Sequence, residues 1–176
     1  MVKNERNKNF SIIVTQENNL NELTRVIYSS YSHLMSAAYK EEIFKGAQPF
    51  ITKANPELVK SRKYYAATVD GKIIACGGWS LEKPGSMYVQ DGIGHLRHFA
   101  TLPEYAGKGV GMALYDFIKL EARKEGIHHF ECLSSLNAVK FYERAGLQII
   151  KDEDIVLPGD IIFPTVLMGC MISDSG

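Results

Sequence analysis

The chain has 176 residues, enough for one domain with a substantial core and too few for two ordinary ones. Twenty basic residues balance twenty acidic ones and no block of like charge occurs, so neither nucleic acid nor an anionic membrane has electrostatic support as a partner. The cysteines Cys76, Cys132 and Cys170 lie far apart in apolar runs, which reads as buried reduced thiols. They lack CxxC spacing and no Cys/His cluster has zinc-site spacing, so no metal is expected. No uncharged apolar run reaches the roughly twenty residues of a membrane span, and the polar start has no signal-like core. A cytoplasmic location and a small or peptide-like substrate are therefore expected.

Residues 1–9 are charged and polar and are expected to form a loose lead-in to a single domain over residues 10–176. The β-branched, apolar run at residues 10–15 predicts a first strand. Asn19 and Glu22 have capping-box spacing, and Leu20, Leu23, Ile27, Tyr31 and Leu34 then fall on one helical face. A second helix is expected over residues 36–45, stopped by Gly46. Asn55-Pro56-Glu57 has the form of a cap with proline at the first helical position of a short turn. Residues 64–69 and 72–79, joined by Asp70-Gly71, predict a tight hairpin, and Gly77-Gly78 in its second strand points to a bulge or a close backbone approach. Residues 81–94 read as a loop.

Residues 95–101 predict the next strand, which runs into Tyr105-Ala106-Gly107-Lys108-Gly109-Val110-Gly111. Apolar residues then recur at Val110, Ala113, Leu114, Phe117 and Ile118 with helical spacing, which places the glycines in the first turn of a helix ending near Gly126. The first N–H groups of a helix lack intrahelical partners and carry the positive end of its dipole, so glycines there, without Cβ atoms, suit a pyrophosphate. The spacing fits neither the nucleotide-triphosphatase loop, since Lys108 is followed by Gly109, nor the dinucleotide fingerprint Gly-x-Gly-x-x-Gly. A tight turn that binds nothing is the plainer alternative, and Lys108 reads equally as a phosphate partner or a solvated side chain.

Residues 128–133 predict a fifth strand. Ser134-Ser135 can cap a short helix whose face carries Ala138, Phe141, Tyr142 and Ala145, and an aromatic pair in that position is ordinarily core. Residues 147–150 and 163–172 close the chain as two strands, with residues 152–162 as the turn between them. The order of elements makes a mixed α/β domain without repeats.

The run from Pro103 to Gly111 resembles the acyl-CoA pyrophosphate loop of the GCN5-related N-acetyltransferase (GNAT) family, Arg/Gln-x-x-Gly-x-Gly/Ala, matching it at Gly109 and Gly111. Ala106 stands where the family carries Arg or Gln. The run from Leu136 to Leu147 resembles the family's second segment, Asn-x-x-Ala/Lys-x-Phe-Tyr-x-x-x-Gly-Phe, at Asn137, Phe141, Tyr142 and Gly146, with Leu147 replacing Phe. The resemblance covers the chain from about Ser11 onward and implies a mixed, mostly antiparallel sheet of about seven strands. Its implied centre is a splayed strand pair, those holding His95 and His128, with the cofactor's pantetheine arm between them.

The resemblance also implies acetyl-CoA as co-substrate and an amine as acceptor, with transfer by direct attack on the thioester. The implied cofactor contacts are Phe99, Ala100, Thr101, Gly107, Lys108, Gly109, Val110, Gly111, Met112, Asn137 and Phe141. Backbone N–H groups around residues 99–101 would polarise the thioester carbonyl, and Tyr142 would meet the departing sulfur. His95 falls where histone acetyltransferases carry a basic Glu and serotonin acetyltransferase a His, which makes it the candidate base, with an ordered-water relay as the alternative. Strand alternation puts His95, Arg97 and Phe99 on one face and His98 on the other, unless a bulge reverses this. A non-catalytic acyl-CoA sensor and a small nucleotide-binding module are the competing readings, and a second copy of the chain is a further candidate partner.

Overall fold

The computed structural model describes residues 9–172, so nearly all of the expected loose lead-in lies outside the described residues. Within them the chain forms one seven-stranded sheet, a two-stranded sheet beside it, and flanking helices. The main sheet opens with β1 (Ser11–Val14), β2 (Tyr64–Val69), β3 (Lys72–Ser80) and β4 (Ile93–Thr101), which pair antiparallel in that order. Asp70 and Gly71 both take left-handed φ values, 48° and 77°, and place Val69 opposite Lys72, the tight hairpin that the Asp-Gly pair predicts.

The first helix, α1 (Leu20–Ser30), packs on β3 and β4. Asn19 does not cap it as the box predicts: its Oδ1 accepts from the Gln16 N–H at 2.8 Å inside a preceding 3₁₀ turn. Glu22 instead accepts from the Ile73 N–H at 2.9 Å, trading a local cap for a tertiary tie. Beyond α1 the chain makes a π turn over Tyr31–Met35, and this slip in phase buries Met35 and leaves Leu34 exposed, against the simple 3.6 periodicity.

The next helix, α2 (Glu41–Ile51), begins later than expected and runs straight through Gly46. A Cβ on Gly46 would come within 2.9 Å of Ile161 Cδ1, so this glycine is a contact point and not a stop. Ile161 belongs to the small sheet of β7 (Ile155–Leu157) and β8 (Ile161–Phe163), which fills residues that the sequence marks only as a turn. Met35, Phe44, Ala47 and Phe163 form a satellite core between α2 and that sheet. The short α3 (Pro56–Lys60) starts as expected, with Asn55 Oδ1 accepting from the Glu57 N–H at 2.9 Å.

After β4, α4 (Val110–Lys124) crosses over to β5 (His129–Ser135), and α5 (Val139–Arg144) leads to β6 (Gln148–Asp152). The last strand, β9 (Thr165–Met171), inserts between β5 and β6 and pairs antiparallel with both. Among the described residues only β4 and β5 are parallel neighbours, and a parallel pair needs such a crossover. Their register holds Ile93, Gly94 and His95 against His129, Phe130 and Glu131 and then stops, although β4 runs on to Thr101 and β5 to Ser135. The two strands therefore diverge into a notch, as the resemblance implies. Leu114, Tyr115 and Ile118 of α4 pack with Trp79 and Phe130 in the main core.

Candidate active site

The notch is shaped by a bulge in β4. Register along β3 places Ser80 against His95, Gly78 against Arg97 and then Cys76 against Ala100, so His98 and Phe99 together oppose Gly77. His98 takes a left-handed φ of 49°, uncommon outside glycine and found where the surrounding structure over-determines it. Gly77 is required beside it, since a Cβ there would stand 2.8 Å from the Phe99 ring. The bulge reverses the alternation: Phe99 points toward Phe141 and Tyr142, whereas His95 and Arg97 share the opposite face with Ser80 and Gly78.

Two tyrosines hold the bulge by its carbonyls. The Tyr64 hydroxyl donates to the His98 carbonyl at 2.8 Å, and Tyr31, at the end of α1 one turn after Ile27, donates to the Phe99 carbonyl at 3.3 Å. Of the three backbone groups expected to polarise a carbonyl, the Thr101 N–H already donates to Ser30 Oγ at 3.2 Å, and Ala100 sits in the ladder opposite Cys76. Phe99 alone lies outside the ladder.

The glycine turn sits where β4 delivers the chain to α4. Gly107 and Gly109 are both left-handed, with φ of 73° and 78°, and Gly109 is the cap residue, so only Gly111 lies in the helix itself. Helical spacing alone predicts all three glycines in the first turn, and the left-handed φ values move two of them ahead of it. The Val110 side chain is buried, which leaves its backbone N–H, with those of Gly111 and Met112, at the open helix end. A Cβ on Gly111 would stand 3.2 Å from Phe141 Cε2 and 3.6 Å from Thr101 Oγ1, so the turn, α5 and the end of β4 converge there. The Lys108 ammonium lies 5.7 Å from the centre of the Tyr105 ring.

On α5, Phe141 and Tyr142 meet edge to face at 5.1 Å, and both approach Phe99, at 6.1 and 6.2 Å. Asn137 lies in the 3₁₀ turn before α5, exposed, with its Oδ1 accepting from Ser135 Oγ at 2.8 Å. Tyr142 is buried beside the Cys132 thiol, and burial, reinforced by that thiol, holds its phenol well above the ordinary value of 10.0. Burial also pushes the Cys76 and Cys132 thiols up to about 12. All of these groups are thus neutral donors at physiological pH.

His95 is buried, 4 % exposed, with Nδ1 3.7 Å from a Glu131 carboxylate oxygen across the last paired step of β4 and β5. Burial lowers its pKa and Glu131 opposes that less strongly, so the imidazole is neutral near pH 7 and able to accept a proton. Nothing local in the sequence marks Tyr31, Tyr64, Ser30 or Glu131 for these roles. Each is distant in sequence from the strand it serves. Among the described residues no group of three or more His, Cys, Asp or Glu is placed to hold a metal ion, and no helix is long and apolar enough to cross a membrane.

Residues 60–148 match the family model described as an acetyltransferase (GNAT) domain. No curated protein sequence matches the chain significantly. Among solved structures, a GCN5-related N-acetyltransferase from Rhodopseudomonas palustris is 18 % identical with a TM-score of 0.72, over 93 % of this chain and 96 % of that one. A PaiA N-acetyltransferase from Thermoplasma acidophilum, in complex with coenzyme A, is 16 % identical with a TM-score of 0.65, over 92 % and 98 %. A GNAT family acetyltransferase from Brucella melitensis, in complex with acetyl-CoA, is 16 % identical with a TM-score of 0.59, over 93 % and 88 %.

Proposed function

Because this chain belongs to the GNAT acetyltransferase family, a family of acetyl-CoA-dependent acyltransferases, we propose that it moves an acetyl group from acetyl-CoA to the amine of a small molecule or peptide. The observation that carries this reading is the divergence of β4 and β5 after three paired residues, with the open end of α4 and Tyr142 beside the gap. When bound, the thioester supplies an activated acyl carbon and a thiol leaving group.

The N–H groups of Val110, Gly111 and Met112 would hold the pyrophosphate, helped by the left-handed turn at Gly107 and Gly109, which keeps Cβ atoms away from the backbone. Lys108 adds a cation nearby. Phe99, outside the strand ladder, would offer its N–H toward the acyl oxygen, and Asn137 its carboxamide to the pantetheine arm, with Phe141 packing against that arm. Neutral His95 would take a proton from the incoming ammonium, whose ordinary pKa is near 10, directly or through a water.

The Tyr142 hydroxyl would donate a hydrogen bond where charge develops on sulfur. Burial raises its pKa further above that of a free thiol, near 8.5, so a hydrogen bond suits this group better than proton transfer. Three free thiols, two of them buried, suit a reducing cytoplasm. Calorimetry with acetyl-CoA, followed by CoA-thiol release over a panel of amines, tests the reading. Binding without release from any amine would make the protein an acyl-CoA sensor instead.

A further inference from the structure

Arg97 is the one cationic side chain on the His95 face of β4, one pleat nearer the bulge. Its guanidinium is half-buried and donates from Nη1 to Ser80 Oγ at 2.9 Å, and Ser80 Oγ in turn donates to the Glu82 carbonyl at 2.8 Å. Among the described residues no carboxylate reaches it within ion-pair distance, in contrast to Lys63, Lys83 and Lys151, each of which has one. Burial is the main influence on its acidity, and the exposed Glu82 offsets that only by its field.

A desolvated guanidinium is costly unless a partner uses its remaining donors, and Arg carries five in a rigid fork. One is spent on a neutral hydroxyl. Directly across the ladder stands Gly78, a residue without a side chain, and the position is fixed, since a Cβ there would come within 2.2 Å of the Lys63 carbonyl. The Lys63 carbonyl and the Tyr64 ring take the place of that missing side chain, and the half-buried guanidinium lies on the same face as the buried imidazole proposed as base.

We propose that Arg97 is a binding residue for a carboxylate on the acceptor, which makes the acceptor an amino acid or an amine of that kind. The planar fork meets a carboxylate through paired N–H bonds, as a neutral amine could not. Held there, the acceptor presents its amine to His95 on the same face. The assignment rests on the acyl-transfer reading and deepens it.

The test uses the twenty amino acids and their C-terminal amides as acceptors, with acetyl-CoA binding measured separately by calorimetry. At least one free amino acid is expected to exceed its own amide tenfold or more in kcat/KM. Arg97→Gln, with its fold checked by circular dichroism, is expected to collapse that ratio by raising KM for the free acid, and Arg97→Lys to restore part of it. Acetyl-CoA binding with amides preferred, with no amino acid accepted, or with both acceptors weakened equally by Arg97→Gln overturns the carboxylate assignment alone. Failure to bind acetyl-CoA overturns the acyl-transfer reading and this assignment with it.

Discussion

Replacing Tyr142 with phenylalanine removes one oxygen and keeps the ring contacts to Phe99 and Phe141, so the fold loses little beyond the hydroxyl's contact with the Cys132 thiol, about 1 kcal/mol. Turnover is expected to fall by about 10²-fold, the scale of a lost donor at a developing charge. Wild-type turnover from the variant at every pH would make Tyr142 a packing residue. His95→Gln tests the neighbouring face. Since burial keeps the imidazole neutral, the variant is expected to lose turnover at pH 7 and to recover as pH approaches about 10, where the acceptor amine deprotonates unaided. A pH–rate profile parallel to that of the wild type would return His95 to a structural role.

At the scale of the element, the glycine turn divides into two kinds of position. Gly109 holds a φ of 78°, where any Cβ is strained, so Gly109→Ala is expected to cost roughly 1 kcal/mol of stability whatever it does to binding. Gly111 lies in the first turn of α4, where alanine is a better helix former, and its Cβ would press on Phe141 at 3.2 Å. Gly111→Ala is therefore expected to hold its melting temperature within a few degrees and to lose about tenfold in acetyl-CoA affinity, a value judged from one displaced contact at 1.4 kcal/mol per tenfold. Undiminished affinity by calorimetry would separate this helix end from the ligand.

At the scale of the whole molecule, buried titratable groups set a pH window for stability. Burial, helped by the adjacent Arg97, pulls His98 down to about 4 from 6.5, so the folded state resists its protonation. That contribution is complete above pH 6.5 and is lost as pH falls through 4, on the order of 3 kcal/mol at most. The thiols of Cys76 and Cys132 are shifted the other way, from 9.0 to about 12, so their contribution is complete below pH 9 and is lost as pH rises through 12. Thermal melts are expected to plateau between pH 6.5 and 9 and to fall on both sides. His98→Asn, which tolerates a left-handed φ, should flatten the acid limb only; an unaltered acid limb would show that another group controls it.

Local chemistry was enough for much of this chain. The Asp70-Gly71 hairpin, the Asn55 cap, the glycine-rich junction ahead of a helix and the paired motifs at Gly109 and Tyr142 depend on backbone conformations that a few adjacent residues dictate. Why Gly46 lies inside α2, and what the hairpin of residues 155–163 packs against, depended on contacts of α2 with Ile161 and Phe163, more than a hundred residues away. The bulge shows the limit best. Gly77-Gly78 announced an irregularity, but which face His95, Arg97 and Phe99 take was decided by the register of β3 on β4 and by the Tyr31 and Tyr64 hydroxyls that hold the carbonyls of His98 and Phe99. A one-residue slip in a strand moves every later side chain to the other face, and only the tertiary pairing fixes where that slip occurs.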